Sequence, residues 1–121
     1  RRQRQMCIRD RSKAVYQGKI FVSSEAQKTD GYQLSNAILL SENSEFNAKP
    51  ELEIYADDVK CSHGSSSGSL DENSIFYLMS RGLNYKEAKK LLINGFLLDV
   101  IEKITDEEIK NLIKNLLGVK E

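Results

Sequence analysis

The chain has no tryptophan, one proline, one histidine and two cysteines among its 121 residues. A single imidazole, His63, excludes metal centres that draw on several histidines of one chain. Cys7 and Cys61 lie far apart and form no repeating framework, which speaks against a disulfide-stapled secreted scaffold and fits a reducing compartment. Charge of one sign is also lacking: 18 basic residues balance 18 acidic ones, so no net field draws the chain to nucleic acid or to a membrane. The longest apolar runs, such as Ala37 to Leu40, are far too short to span a bilayer, and no apolar signal region follows the N-terminal arginines. The expectation is a cytoplasmic protein that recognises its partners by shape. No Gly-x-x-x-x-Gly-Lys-Ser/Thr run occurs, so no nucleotide is expected on this chain.

What remains is ordinary globular composition, 40% hydrophobic and 30% charged, patterned in two styles. From Ser12 to His63 the period is that of strands. Ala14, Tyr16, Gly18, Ile20 and Val22 alternate with Lys13, Gln17 and Lys19. Ser41 to Asn47 reads as a loop, Pro50 as an entry, and Leu52, Ile54 and Ala56 alternate again. Strand pieces recurring every 15 to 20 residues with no helix between them suit the rungs of a parallel β-helix, although a short-stranded antiparallel sandwich gives the same pattern. After Gly64 the style changes. Residues 65–70 read as a polar linker, and 71–121 as about three helices. Asp71 or Ser69 caps the first, Asn84 with Glu87 is spaced as a capping box for the second, and Thr105 with Glu108 for the third. Gly82 and Gly118 stand where left-handed helix ends are wanted.

Arg1, Arg2, Arg4, Arg9 and Arg11 crowd the first eleven residues. They show neither helix nor strand period, so 1–11 is read as a non-native or disordered leader rather than a nucleic-acid arm, and Cys7 is given no role.

Chemistry concentrates at Leu52 to Gly64, LEIYADDVKCSHG. Residues i and i+2 of a strand share a face, so Cys61 and His63 present a thiol and an imidazole together. A buried small hydrophobe is an equal reading for Cys61, and a plain structural role remains open for His63. Asp57 and Asp58 are poor partners for shared acid-base work, because neighbours on a strand face opposite ways, and they read as turn residues or as acceptors that support a ligand; Lys60 reads as an edge charge. Gly64 to Gly68 matches the Gly-x-Ser-x-Gly nucleophile elbow around Ser66, but the only histidine precedes that serine, against the order of that fold.

The segments SKAVYQGKIFV (Ser12 to Val22), AQKTDGYQLSNAILLS (Ala26 to Ser41), LEIYADDVKCSHG and SLDENSIFYLMSRGL (Ser69 to Leu83) resemble, in this order, the C-terminal half of SufD-type members of the SufB/SufD family. The resemblance covers roughly Ser12 to Val100. It implies a scaffold for iron-sulfur cluster assembly and no enzyme, with 12–64 as the last coils of a right-handed parallel β-helix and a C-terminal helical segment behind them. It further implies pairing with SufB through the β-helix and with the ATPase SufC through the helices, where Phe76, Leu91, Phe96 and Val100 are candidate contacts. His63, with Cys61 second, is then a candidate ligand of a transient cluster of iron and sulfide shared with SufB. Soft thiolate and borderline imidazole suit such a labile cargo. The residues alone leave two other readings open: a thiol enzyme with Cys61 as nucleophile and His63 as base, or a metal-free β-solenoid interaction module.

Overall fold

The structure is a computed structural model that describes the backbone of residues 2–8 and all of residues 11–119. It divides into two units, Arg1–Ser69 and Leu70–Glu121. The first consists of strands: β1 (Arg2–Ile8), β2 (Lys13–Val22), β3 (Asp30–Leu39), β4 (Glu45–Ile54) and β5 (Lys60–Ser69). The chain visits two parallel sheets in turn, one ordered β1-β3-β5 and the other β2-β4. Parallel neighbours usually need a helical crossover. Here a strand of the other sheet serves instead, and each strand pairs with the one that precedes it by two.

The alternation read in β2 is the one found. Ala14, Tyr16, Gly18 and Ile20 are partly covered between exposed neighbours, and Val22 is buried. In β3 the covered face carries Gln33, Ser35 and Ala37, so the interior is unusually polar. That face was hidden in the sequence, where the apolar Ala37 to Leu40 draws attention and Gln33 does not.

Four expectations are corrected. The leader at 1–11 is not disordered along its described part: β1 runs parallel to β3, with Arg2 beside Gln33 and Ile8 beside Leu39. Residues 65–70 are no free linker, because β5 continues to Ser69 in register with Ser35 to Leu39. Serine and glycine have low strand propensity, but backbone pairing to a formed strand overrides it. The loop at Ser41 to Asn47 ends early, since β4 begins at Glu45, and Pro50 lies inside β4 opposite Gly18 rather than before it. Among the described residues β4 borders its sheet, the kind of strand in which a missing N–H is tolerated.

The second unit is helical: α1 (Glu72–Ser80), α2 (Tyr85–Ile101) and α3 (Glu107–Leu117). Asp71 caps α1 by accepting from the backbone N–H groups of Asn73 and Ser74. Asn84 and Glu87 form the full capping box of α2. For α3 the cap is Asp106, which accepts from the Ile109 N–H at 3.0 Å, one residue later than the expected Thr105. Gly118 closes α3 with a left-handed φ of 64°, a conformation that costs glycine nothing. The unit packs α1 on α2 and α2 on α3. Its buried residues are Ile75, Ala88, Ile101 and Val119.

Candidate functional site

Strand β5 carries the two donor side chains. Its register sets Cys61 beside Gly31 and His63 beside Gln33. Residues paired in a parallel sheet project from the same face, so both donors share the face that carries Gln33 and Ser35. Their surroundings differ. A Cβ added to Gly31 would lie 3.3 Å from the Cys61 sulfur and 3.5 Å from a methyl of Ile20, so the thiol and Ile20 both border the space that Gly31 leaves. Cys61 is accordingly half-buried, whereas His63 is exposed. The opposite face of β5 is fixed by other contacts: a Cβ on Gly64 would stand 3.0 Å from the Tyr32 hydroxyl, and the Ser66 hydroxyl donates to Asn36 Oδ1 at 2.9 Å.

That last bond removes the nucleophile elbow. Ser66 stands in the middle of an extended strand, with no sharp strand-to-helix turn to expose its oxygen. Asp57 and Asp58 lie in the turn before β5, as read: the Asp58 N–H donates to Gln27 Oε1 at 2.9 Å and its carbonyl accepts from the Lys28 N–H. The Lys60 side chain is exposed, and its backbone N–H donates to the Thr29 carbonyl. No cluster of three or more His, Cys, Asp or Glu residues able to hold a metal occurs among the described residues. Cys61 and His63 are therefore at most part of a ligand set, completed from elsewhere.

The most perturbed charges of this unit lie away from the pair. Lys19 and the Tyr55 hydroxyl both donate to Glu53, Tyr55 at 2.8 Å. Hydrogen bonding to that carboxylate raises Lys19 and Tyr55 above their ordinary values, and the same donors, Lys19 first, hold Glu53 below its own. Phe21 and Tyr55 form an exposed ring pair beside them, with centroids 5.8 Å apart. The cluster ties β2 to β4, and in the sequence it shows only as a separation of 34 residues between Lys19 and Glu53.

In the helical unit, Phe76 is 75% exposed and Leu91 50%, while Phe96 and Val100 are half-buried. Leu91 lines a shallow cavity of about 450 Å³ with Asp71, Ser74, Tyr77, Leu78 and Leu92. Leu112 and Leu116 of α3 are also exposed. Exposed apolar side chains in one small helical unit exceed what its own core uses. Among the described residues no helix is long and apolar enough to cross a membrane.

Comparison with known proteins decides what this arrangement belongs to. The family profile of the SUF system FeS cluster assembly SufBD core domain matches residues 3–96. The chain belongs to the SufBD family. Its relatives include the iron-sulfur cluster assembly protein SufD of Escherichia coli, 42% identical over 111 residues that make up 92% of this chain and 26% of that protein. The chloroplastic protein ABCI7 of Arabidopsis thaliana is 40% identical over 116 residues, 94% of this chain and 24% of its own length. The SufBD family protein slr0076 of Synechocystis is 44% identical over 115 residues, 94% of this chain and 25% of its own. The chain is thus of SufD type and spans about a quarter of the length of these relatives. The SufBD match begins at residue 3, inside the segment read from sequence as a leader. Iron-sulfur cluster assembly is the role in the name of the family and of the Escherichia coli relative, and it is the one that the four sequence segments implied.

Proposed function

We propose that this SufD-type chain contributes the closing coils of a right-handed parallel β-helix to a scaffold on which an iron-sulfur cluster is assembled as cargo. The observation that carries the reading is the placement of His63. It is the chain's only imidazole, it lies exposed on the inner face of β5, and it stands two residues from a thiol. An exposed imidazole with a half-buried sulfur beside it gives an incomplete, exchangeable set of soft and borderline ligands. Such a set suits a cluster that must be handed on.

The remaining ligands would come from SufB, pairing through the β-helix, where β5 offers an outer strand edge among the described residues. The exposed apolar residues of α1 and α2, Phe76 and Leu91 foremost, with Phe96 and Val100 behind, would receive the ATPase SufC. The role is that of a scaffold rather than an enzyme. A thiol enzyme would need an orienting group for His63 and an oxyanion donor near Cys61. Ser66 supplies neither, since its hydroxyl donates to Asn36 Oδ1, and Asp57 and Asp58 lie in the turn before β5 rather than on its donor-bearing face.

The test is reconstitution with SufB and SufC under anaerobic conditions, followed by absorption in the cluster's charge-transfer region. The scaffold reading expects a band that weakens in His63→Ala. A hydrolytic or transfer activity abolished by alkylating Cys61, with no cluster band at all, would establish the thiol enzyme instead.

A further inference from the structure

The interior of the strand unit holds a large polar side chain that its own packing does not explain. Gln33 is 1% exposed, and among the described residues neither its amide nitrogen nor its amide oxygen has a hydrogen-bond partner. Most buried polar groups are satisfied, and one that is not loses its hydration without replacement. A leucine or methionine would fill the same volume without that loss. The amide nitrogen lies toward β2: a Cβ added to Gly18 would stand 2.8 Å from it and 2.5 Å from the Tyr16 hydroxyl, so Gly18 leaves room for the amide. The oxygen, on the other side of the terminal carbon, is left with nothing to accept. In the next strand the register partner of Gln33 is His63, projecting from the same face. Parallel neighbours stand about 4.8 Å apart, well within the combined reach of a glutamine and an imidazole.

We propose that Gln33 is a positioning residue for His63: the amide oxygen, unpartnered in the structure, accepts one ring N–H once the exposed imidazole turns toward β3, which fixes the tautomer and leaves the other ring nitrogen's lone pair free for a metal. Metal-binding histidines generally have the second nitrogen held in this way, by a carboxylate or a carbonyl oxygen, and the hold fixes both the ring's orientation and its basicity. An amide does this without adding charge to the interior. The inference rests on His63 as the cluster-facing ligand proposed above, but the tautomer is measured without any cluster.

Because His63 is the only histidine in the chain, selective ¹⁵N-histidine labelling gives one pair of ring-nitrogen signals. Spectra are recorded on the whole chain at a pH where the ring-nitrogen shifts themselves report a neutral imidazole. One tautomer should exceed the other by about tenfold or more in the wild type, the bias of one hydrogen bond, and Gln33→Met should return the mixture of an unconstrained ring. Gln33→Glu, which keeps an acceptor oxygen, should retain the bias, and the melting temperature of Gln33→Met should be unchanged or higher. A wild-type ring without bias, or a bias that survives in Gln33→Met, overturns the proposal. If His63→Ala leaves cluster retention intact while Gln33→Met abolishes the bias, the ligand reading fails and the positioning contact stands. The reverse pattern fails the contact alone.

Discussion

At the residue scale the strand unit is governed by close approaches where side chains are absent. Gly18 is the sharpest case, because a methyl there would meet the stiff Tyr16 ring, whose Cζ lies 2.9 Å from the added carbon, as well as the Gln33 amide. Gly18→Ala should therefore lower stability by about 1–3 kcal/mol, the range for overpacking a filled interior. Urea unfolding should show a lower midpoint at constant slope, and an unchanged midpoint would mean that the interior of β2 and β3 yields freely. Gly31 is milder. Its nearest prospective neighbour is the Cys61 sulfur at 3.3 Å, so Gly31→Ala tests whether the thiol can turn aside. These constraints were partly legible. Gly18 fell on the inward face by simple alternation, but nothing in the string of residues announced that Gln33 would be packed over it. A polar residue on a buried face is visible only once the register is known.

At the scale of elements, the helices were the most legible part because their ends are marked by local chemistry. Asn84 to Ala removes the accepting half of the α2 capping box and should cost about 1 kcal/mol, read as a lower melting temperature of the helical unit. The α3 cap was misplaced by one residue because Thr105 and Asp106 are both good caps and spacing alone does not choose between them. Between α2 and α3 the ends are joined by charge. Glu102 accepts from Lys114 at 2.7 Å and lies 3.5 Å from Lys110, which also reaches Glu107 at 2.7 Å. Lys114, then Lys110, hold the Glu102 carboxylate below its ordinary pKa. A depressed carboxylate stabilises the fold above its unfolded-state pKa, and that contribution is lost as the pH falls through the folded value. Stability should therefore decline on acidification below the ordinary carboxylate range, and Glu102→Gln should flatten this limb in melts taken across that range. An identical acid limb in the variant would place the dependence elsewhere. The strands were less legible where composition opposed them. Ser65 to Ser69 and the arginine-rich β1 form strands because a neighbouring strand pairs with their backbones, information that is not local.

For the whole molecule, the alternation of two parallel sheets places one exposed imidazole and one half-buried thiol on β5, the strand that precedes the helical unit in the chain. The pair was legible in the sequence as an i, i+2 spacing, and its unequal burial was not, since that depends on the register that sets Cys61 beside Gly31 and His63 beside Gln33. Exposure separates the two roles. Removing an exposed side chain changes stability by about 0.5 kcal/mol or less, so a large functional loss in His63→Ala would come from lost chemistry and not from a lost fold. The exposed apolar side chains of α1 and α2 give a parallel test. Leu91→Asp should leave the circular dichroism intact and weaken binding of the SufC ATPase, and a titration with undiminished affinity would remove that surface from the account.

The decisive measurement is the iron and acid-labile sulfide retained per complex when residues 12–119 replace the matching segment of Escherichia coli SufD and the chimera is purified with SufB and SufC. With His63→Ala the account predicts an assembled complex with measurable ATPase activity and a clear loss of both iron and sulfide, with Cys61→Ser milder if the thiol serves the interior. Full iron and sulfide in the His63→Ala complex would contradict it.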